Sequence, residues 1–302
     1  MSGSDSSLRD LYFQERDRLS KNIALVEAAE KLYMQHLLRI MENTVREMHE
    51  DFNESAYALL PFWLNYPPEQ RGRDASGNAT PMLELGEKLT SSHLIRSISE
   101  YFGDVTFPGL PTGGDVRFAT NDALVHLDIK VSGPTESPND LVLPPNQVSG
   151  DGAQYNDLGI LNSTHPIFKQ RGGAFNYNFH PKLPPFYILN GHTLLCLSFY
   201  LKVIYDVEDF GIHPLRYFEV ACVPNGLLMF DGPQLANYPK LVGSGKDEKS
   251  KPENTKRLRI YLNPLSEMNP WRTVKIEREE GESGWRFFSR SQPKALLAEL
   301  LK

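Results

Sequence analysis

Pro111-Thr-Gly-Gly-Asp115 through His126-Leu-Asp128-Ile-Lys130 is the stretch that decides how this chain is read. Side chains alternate across a strand, so a strand over Ala123 to Ile129 sets Asp128 and Lys130 on one face. Leu127 and Ile129 then turn toward a core. Asn121-Asp122 suits a two-residue turn, and a hairpin folded there sets Thr120 against Ala123. Counting outward brings Asp115 opposite Asp128. Directly opposed residues have Cβ atoms roughly 4.5–5.5 Å apart, close enough for two carboxylates to share one hard cation. Mg²⁺ is the expected cofactor, because it takes one or two carboxylates together with waters and phosphate oxygens. Lys130 is placed to orient or deprotonate a water and to neutralise phosphate charge. An Asp-x-Lys alone carries little: Asp247-Glu248-Lys249 repeats it in what reads as a solvated loop. The competing reading is two unconnected surface carboxylates.

Outward from this hairpin the chain changes period. Leu8, Tyr12, Leu19, Ile23, Val26, Tyr33, Leu37, Ile40, Val45 and Met48 recur at helical spacing, so about Leu8 to Met48 is expected as one or two helices, with Ser4 or Ser7 as cap. An apolar stripe of this kind usually packs on the core, the alternative being a helix for dimerisation or for gripping a phosphate backbone. Asn65 to Asn78 reads as loop and Leu83 to Phe102 as helix. Strands are expected at Val116–Thr120, Ala123–Ile129, Phe186–Leu189, Thr193–Tyr205, Tyr217–Val223 and Lys256–Leu262. Asn190-Gly191 signals a hairpin. Ser132 to Pro185 shows little regular pattern, and Pro293 to Leu301 reads as a short helix. No repeat or clear domain boundary interrupts the chain. It is expected to form a single domain over 1–302, with an N-terminal helical segment over 1–55 and a catalytic and DNA-recognition core over 56–302.

The 302 residues, 40% hydrophobic and 23% charged, suit a globular chain with a good core. The net charge of −6 argues against a protein that coats nucleic acid through overall basicity. Contact with DNA would have to come from local basic patches. Cys196 and Cys222 lack metal spacing and read as buried free thiols. No apolar run reaches membrane-spanning length, no signal peptide is evident, and a cytoplasmic protein is expected. His126 shares the face of Asp128 by parity but reads as a neutral neighbour, since Mg²⁺ prefers oxygen. Arg71 and Arg73 read as solvated, and Trp63 and Tyr66 as packing residues.

A basic run, Lys246 to Arg259, is ordinarily a solvated loop. Here Arg257 and Arg259 fall on one face of an apparent strand, with Leu258 and Ile260 on the other. Two such forks side by side suit guanine O6 and N7 in the major groove.

The Asp115…Asp128-x-Lys130 pattern resembles the core of the PD-(D/E)xK nucleases, although Gly114 replaces the proline before Asp115. Around it, Pro61-Phe-Trp-Leu-Asn-Tyr-Pro-Pro68, Gly86-Glu-Lys88, Gly109-Leu-Pro-Thr-Gly113 and Asp140-Leu-Val-Leu-Pro-Pro-Asn-Gln-Val-Ser-Gly150 resemble the BglI family of restriction endonucleases. Val223-Pro-Asn-Gly226, Gly245-Lys-Asp247 and Lys256-Arg-Leu-Arg259 do so too. These phrases run in one order from about Pro61 to Leu262. The first fifty residues and the tail after Pro264 match poorly, and the stretch from Asp115 to Asp128 is shorter than the family's by a loop at the hairpin tip.

The resemblance implies an α/β fold, restriction-endonuclease-like, with a central mixed sheet flanked by helices. It implies a homodimer cutting double-stranded DNA within an interrupted, G·C-rich palindrome and leaving 5′-phosphate ends. Within a restriction–modification system, a cognate DNA methyltransferase encoded nearby is expected, without direct contact. It assigns Asp115 and Asp128 as metal ligands, Lys130 as the catalytic lysine, and Glu87 as a helix carboxylate near the metal. Glu87 reads equally well as an exposed or capping residue. Lys246, Arg257 and Arg259 carry over as guanine readers. Glu248 and Glu136 fall where the family has aspartates that accept from cytosine, one methylene shorter. The remaining alternatives are a structure-specific or repair nuclease on the same core, and a DNA-binding protein with a dead site.

Overall fold

A computed structural model describes residues 3–65, 82–110, 113–156, 159–168, 176–206, 208, 214–232, 234–245, 256–279 and 284–294. Three helices come first: α1 (Gly3–Lys21), α2 (Ile23–Asn65) and α3 (Met82–Phe102). The helical stretch is thus two helices, parted at Asn22, and α2 runs on through the expected boundary at residue 55. Ser4 and Ser7 lie inside α1 rather than capping it. Leu8 departs from the stripe, being 51% exposed. The other members of that stripe, from Tyr12 to Met48, are buried or, at Ile23, partly buried, as a core-packing stripe should be.

The strands follow as β1 (Val116–Ala119), β2 (Ala123–Ser132), β3 (Asp140–Leu143), β4 (Gln154–Asn156), β5 (Gly159–Leu161), β6 (His165–Phe168), β7 (Asn176–Phe179), β8 (Phe186–Leu189), β9 (His192–Tyr205) and β10 (Leu215–Val223). Helix α4 (Gln234–Asn237), β11 (Val242–Ser244), β12 (Leu258–Tyr261), α5 (Leu262–Met268), β13 (Thr273–Arg278) and β14 (Trp285–Ser289) complete them. Asn190 and Gly191 take φ of 51° and 78°, the positive angles a two-residue hairpin turn demands. Leu262 opens a helix rather than ending a strand. Its Pro264 sits in the first turn, where the missing N–H costs nothing. The region from Ser132 to Pro185 is less irregular than expected, holding β3 and the short hairpins β4–β5 and β6–β7. Of the loop expected from Asn65 to Asn78, Asn65 instead closes α2 and residues 66–78 lie outside the described residues, as does most of the expected C-terminal helix.

The main sheet is mixed, in the order β1-β2-β9-β10-β13-β14, with β8 also paired to β9. Among its described strands, only β2 and β9 are parallel, from Ala123 beside Leu195 to Ser132 beside Ile204. One face of the sheet buries Leu127, Ile129, Phe199, Leu201, Val220 and Ile276 against Leu37, Met41 and Val45 of α2 and Leu94 and Ile98 of α3. The other face, bearing Tyr200, Ala221 and Val223, packs on a second sheet in the order β11-β12-β3. Asp128 stands beside Tyr200 in the parallel ladder. The polar face of β2 therefore looks toward the small sheet that carries Arg259. Cys196 and Cys222 are free and buried. Burial pushes the Cys196 thiol up to about 12 and the Cys222 thiol upward too. Among the described residues, no helix is long and apolar enough to cross a membrane.

Candidate active site

The β1–β2 hairpin pairs Val116 with Leu127, and the Thr120 N–H donates to the Ala123 carbonyl at 2.9 Å. This register puts Asp115 opposite Asp128, as counting from the turn predicts. Asp115 Oδ2 accepts from the Ile129 N–H at 2.7 Å, extending the ladder by one rung. Gly114 explains the departure from proline: a Cβ there would lie 2.6 Å from the Leu127 carbonyl carbon and oxygen. Backbone fills the space a side chain would need.

Asp115 is exposed, whereas Asp128 is only 2% exposed. Lys130 Nζ lies 2.6 Å from Asp128 Oδ2, an ion pair at the mouth of the buried carboxylate. Burial pushes the Asp128 carboxyl up to about 7; Asp115 and Glu87 push the same way, while Lys130 opposes them. Gln147 closes the arrangement. Its amide nitrogen donates to Asp128 Oδ1, and its amide oxygen accepts from Lys130 Nζ at 3.1 Å. Its own carbonyl accepts from the buried Tyr200 hydroxyl at 2.5 Å. Gln147 lies within the Asp140–Gly150 phrase, where its position in sequence carries no sign of this contact. What local signal there was is a pair of amides, Asn146 and Gln147, directly after two prolines in a single short turn.

Glu87 sits on α3, half-buried, where the helix lies close on β2: a Cβ at Gly86 would come within 2.9 Å of Val131. Among the described residues no three of His, Cys, Asp and Glu close on one point. Glu87 thus stands beside the carboxylate pair rather than completing a three-carboxylate cage. The donors present suit a hard divalent cation. They are oxygens, and buried Asp128 Oδ2 has no hydrogen bond, only the neighbouring ammonium. His126 is not among them. Its Nε2 meets the Tyr187 hydroxyl at 3.1 Å, and burial, then Arg117, lowers its pKa to about 4.

The second half of the site faces this hairpin. Leu258 and Ile260 of β12 are fully buried, so Arg259 and the preceding Arg257 turn the other way, as their spacing predicts. Glu87, Lys130, Glu136, Asp140, Arg257 and Arg259 line one cleft of about 530 Å³. Lys130 and Glu87 thus share this cleft with the candidate base readers, while Asp115 and Asp128 are not among the residues that line it. Lys202, from β9, lies 1% exposed at its floor, and burial lowers its ammonium pKa to about 8. Arg259 Nη1 is 2.5 Å from Asp140 Oδ2, a partner sequence reasoning did not foresee. Lys246 and Glu248 lie outside the described residues.

A mixed sheet edged by a hairpin with opposed carboxylates and a lysine two residues on is an arrangement that could hold a hard cation beside a phosphodiester. The family model for restriction endonuclease BglI matches residues 7–276. The type II restriction enzyme BglI of Bacillus subtilis is 35% identical over 295 residues, 89% of this chain and 96% of that one. The crystal structure of BglI bound to its DNA recognition sequence superposes with a TM-score of 0.79 at 33% identity, covering 91% of this chain and 98% of that one. The tetrameric restriction endonuclease SfiI bound to cognate DNA shares the fold, with a TM-score of 0.57 at 16% identity over 86% of this chain and 87% of that one.

The chain belongs to the BglI family of restriction endonucleases: it is a type II site-specific deoxyribonuclease. Enzymes of this kind generally depend on a divalent metal. The family match begins at residue 7, so the N-terminal helices, expected to fall outside the resemblance, belong to it. A family match of this length leaves no ground for the repair-nuclease or dead-site readings.

Proposed function

We propose that this enzyme hydrolyses one phosphodiester per strand of double-stranded DNA, with Mg²⁺, inside an interrupted G·C-rich palindrome, leaving 5′-phosphate ends. The observation that carries the reading is the hairpin register, which opposes Asp115 to Asp128 with Lys130 and Gln147 beside them. Asp115 and Asp128 would hold the cation, with Glu87 near enough to add its charge. Bound Mg²⁺ supplies Lewis-acid stabilisation of the charge that builds on the phosphate. Lys130 Nζ, freed of its proton when Asp128 turns to the cation, orients or deprotonates the attacking water, or as the ammonium draws the phosphate toward the carboxylates. Gln147 keeps Asp128 Oδ1 and Lys130 Nζ in one plane of approach. Arg257 and Arg259 read guanines, joined by Lys246; Glu136 and Glu248 accept from cytosine amino groups, their extra methylene shifting the contact relative to aspartate.

The working molecule is a cytoplasmic homodimer, each chain one catalytic and recognition domain, and a DNA methyltransferase encoded nearby protects the host site. Digestion of a sequenced plasmid with Mg²⁺ and with chelator tests this directly. Fixed bands that depend on Mg²⁺, whose ends ligate without prior phosphorylation and map to an interrupted palindrome, are expected. Products with 5′-hydroxyl ends, or cuts scattered without a common site, would overturn it.

A further inference from the structure

Asp140 opens β3, and its neighbour Val142 pairs with Arg259 of β12. Asp140, Val142 and Arg259 therefore share one face, while Leu141, Leu143, Leu258 and Ile260 bury on the other. Arg259 Nη1 meets Asp140 Oδ2 at 2.5 Å, and Arg259 Nε reaches the Ser244 carbonyl at 3.4 Å. The two side chains are 20% and 11% exposed, at the floor of the cleft rather than on its rim.

What distinguishes this pair from an ordinary surface ion pair is the platform beneath Asp140. Lys202 Nζ donates to the Ser137 and Asp140 carbonyls at 3.0 and 2.8 Å. Arg290 donates to Asn139 Oδ1 at 2.8 Å and to the Pro138 carbonyl at 2.7 Å, while its other edge is held by buried Glu219. Residues 137–140 are thus tied to β9 and β10 of the main sheet. The Asp140 carboxylate inherits that rigidity and passes it to a long side chain that would otherwise sample many rotamers.

We propose that Asp140 is a specificity-determining positioning residue: its carboxylate aims the Arg259 guanidinium at base edges and withholds it from phosphates. An unneutralised arginine in a DNA groove is drawn to whichever phosphate is nearest, in any sequence. A carboxylate on one edge of the fork neutralises that pull and leaves the remaining N–H groups in one plane. The proposal rests on Arg259 being a base reader.

The two effects of Asp140 have opposite signs, which separates positioning from mere support of the fold. Binding is measured in metal-free buffer at fixed salt. The duplexes carry the site mapped from the enzyme's own cleavage products, its single-base variants, and an unrelated sequence. Asp140→Asn is expected to lose about ten- to a hundred-fold in discrimination at one base pair of each half-site. It should bind the unrelated duplex a few-fold more tightly, with a salt dependence steeper by about one phosphate contact. Arg259→Ala should lose discrimination at the same base pair, and the double variant should be no worse than Arg259→Ala alone. Asp140→Glu keeps the charge but moves it by a methylene. It should lose discrimination without gaining on unrelated DNA, and it carries the test should Asp140→Asn not fold. Wild-type discrimination in both Asp140 variants, losses additive with Arg259→Ala, or even weakening on every duplex would overturn the proposal. Even weakening by Arg259→Ala itself would instead defeat the base-reading assignment on which it rests.

Discussion

Asp128 and Lys130 differ in what their loss should do. Asp128→Ala removes the carboxylate proposed to hold the cation, and with it a negative charge from the candidate site. Cleavage should vanish while DNA binding in metal-free buffer stays level or tightens; a gel-shift titration alongside a cleavage assay checks both. Lys130→Ala should cost about 10²–10⁴-fold in rate at saturating Mg²⁺, the usual effect of losing a positioned proton-transfer group, and single-turnover kinetics would read it. Gln147 touches both and should behave as a support. Gln147→Ala is expected to lower kcat or raise the Mg²⁺ requirement by about 10–100-fold, with DNA affinity unchanged. A Mg²⁺ titration of the cleavage rate separates the two. Why Gln147 escaped the sequence reading is a matter of distance along the chain. It lies 17 residues from Lys130, and only the packing of β3 under the sheet brings its amide to the carboxylate.

At the scale of elements, what was legible was what repeats locally. Leu127 and Ile129 against Asp128 and Lys130 gave β2 its two faces, and Asn190-Gly191 gave the β8–β9 turn. The register that opposes Asp115 to Asp128 followed from a turn only two residues long. Less local features were not legible. Only two apolar residues, Val274 and Ile276, alternate with Lys275 and Glu277 in β13, too few to mark a strand, and β14 adds few inward positions. The parallel pairing of β2 with β9 and the clamp of Lys202 and Arg290 on residues 137–140 depend on tertiary contacts alone.

Helix α2 offers an element-scale test. Its Glu30, 1% exposed, binds fully buried Arg272 at 2.7 Å and accepts from the Asn225 N–H at 2.5 Å. Arg272 also reaches the Cys222 sulfur at 3.6 Å. This ties α2 to the far strands of the main sheet. Glu30→Ala leaves the buried guanidinium only the more distant Glu27, at 3.8 Å, as a carboxylate partner and should cost about 3 kcal/mol, measured by urea denaturation. A loss below 1 kcal/mol would mean water reaches Arg272.

For the whole molecule, symmetry is the governing consequence of having one hairpin site per chain. Cutting both strands in a single encounter needs two such sites, and a two-fold dimer makes the target a palindrome. Sedimentation should find a dimer in the DNA complex, and run-off sequencing should find staggered cuts placed symmetrically. A monomer on DNA, or cuts outside an asymmetric site, would remove the dimer while leaving the nuclease in place. The two sealed thiols extend this to dynamics. Cys196 and Cys222 sit on neighbouring strands, β9 and β10, three residues out of register, and both are fully buried while the strands are paired. Alkylation of either must wait for the sheet to part. The rate of thiol labelling in native buffer is therefore a clock for global opening, and added DNA should slow it in proportion to how firmly the duplex holds the folded state.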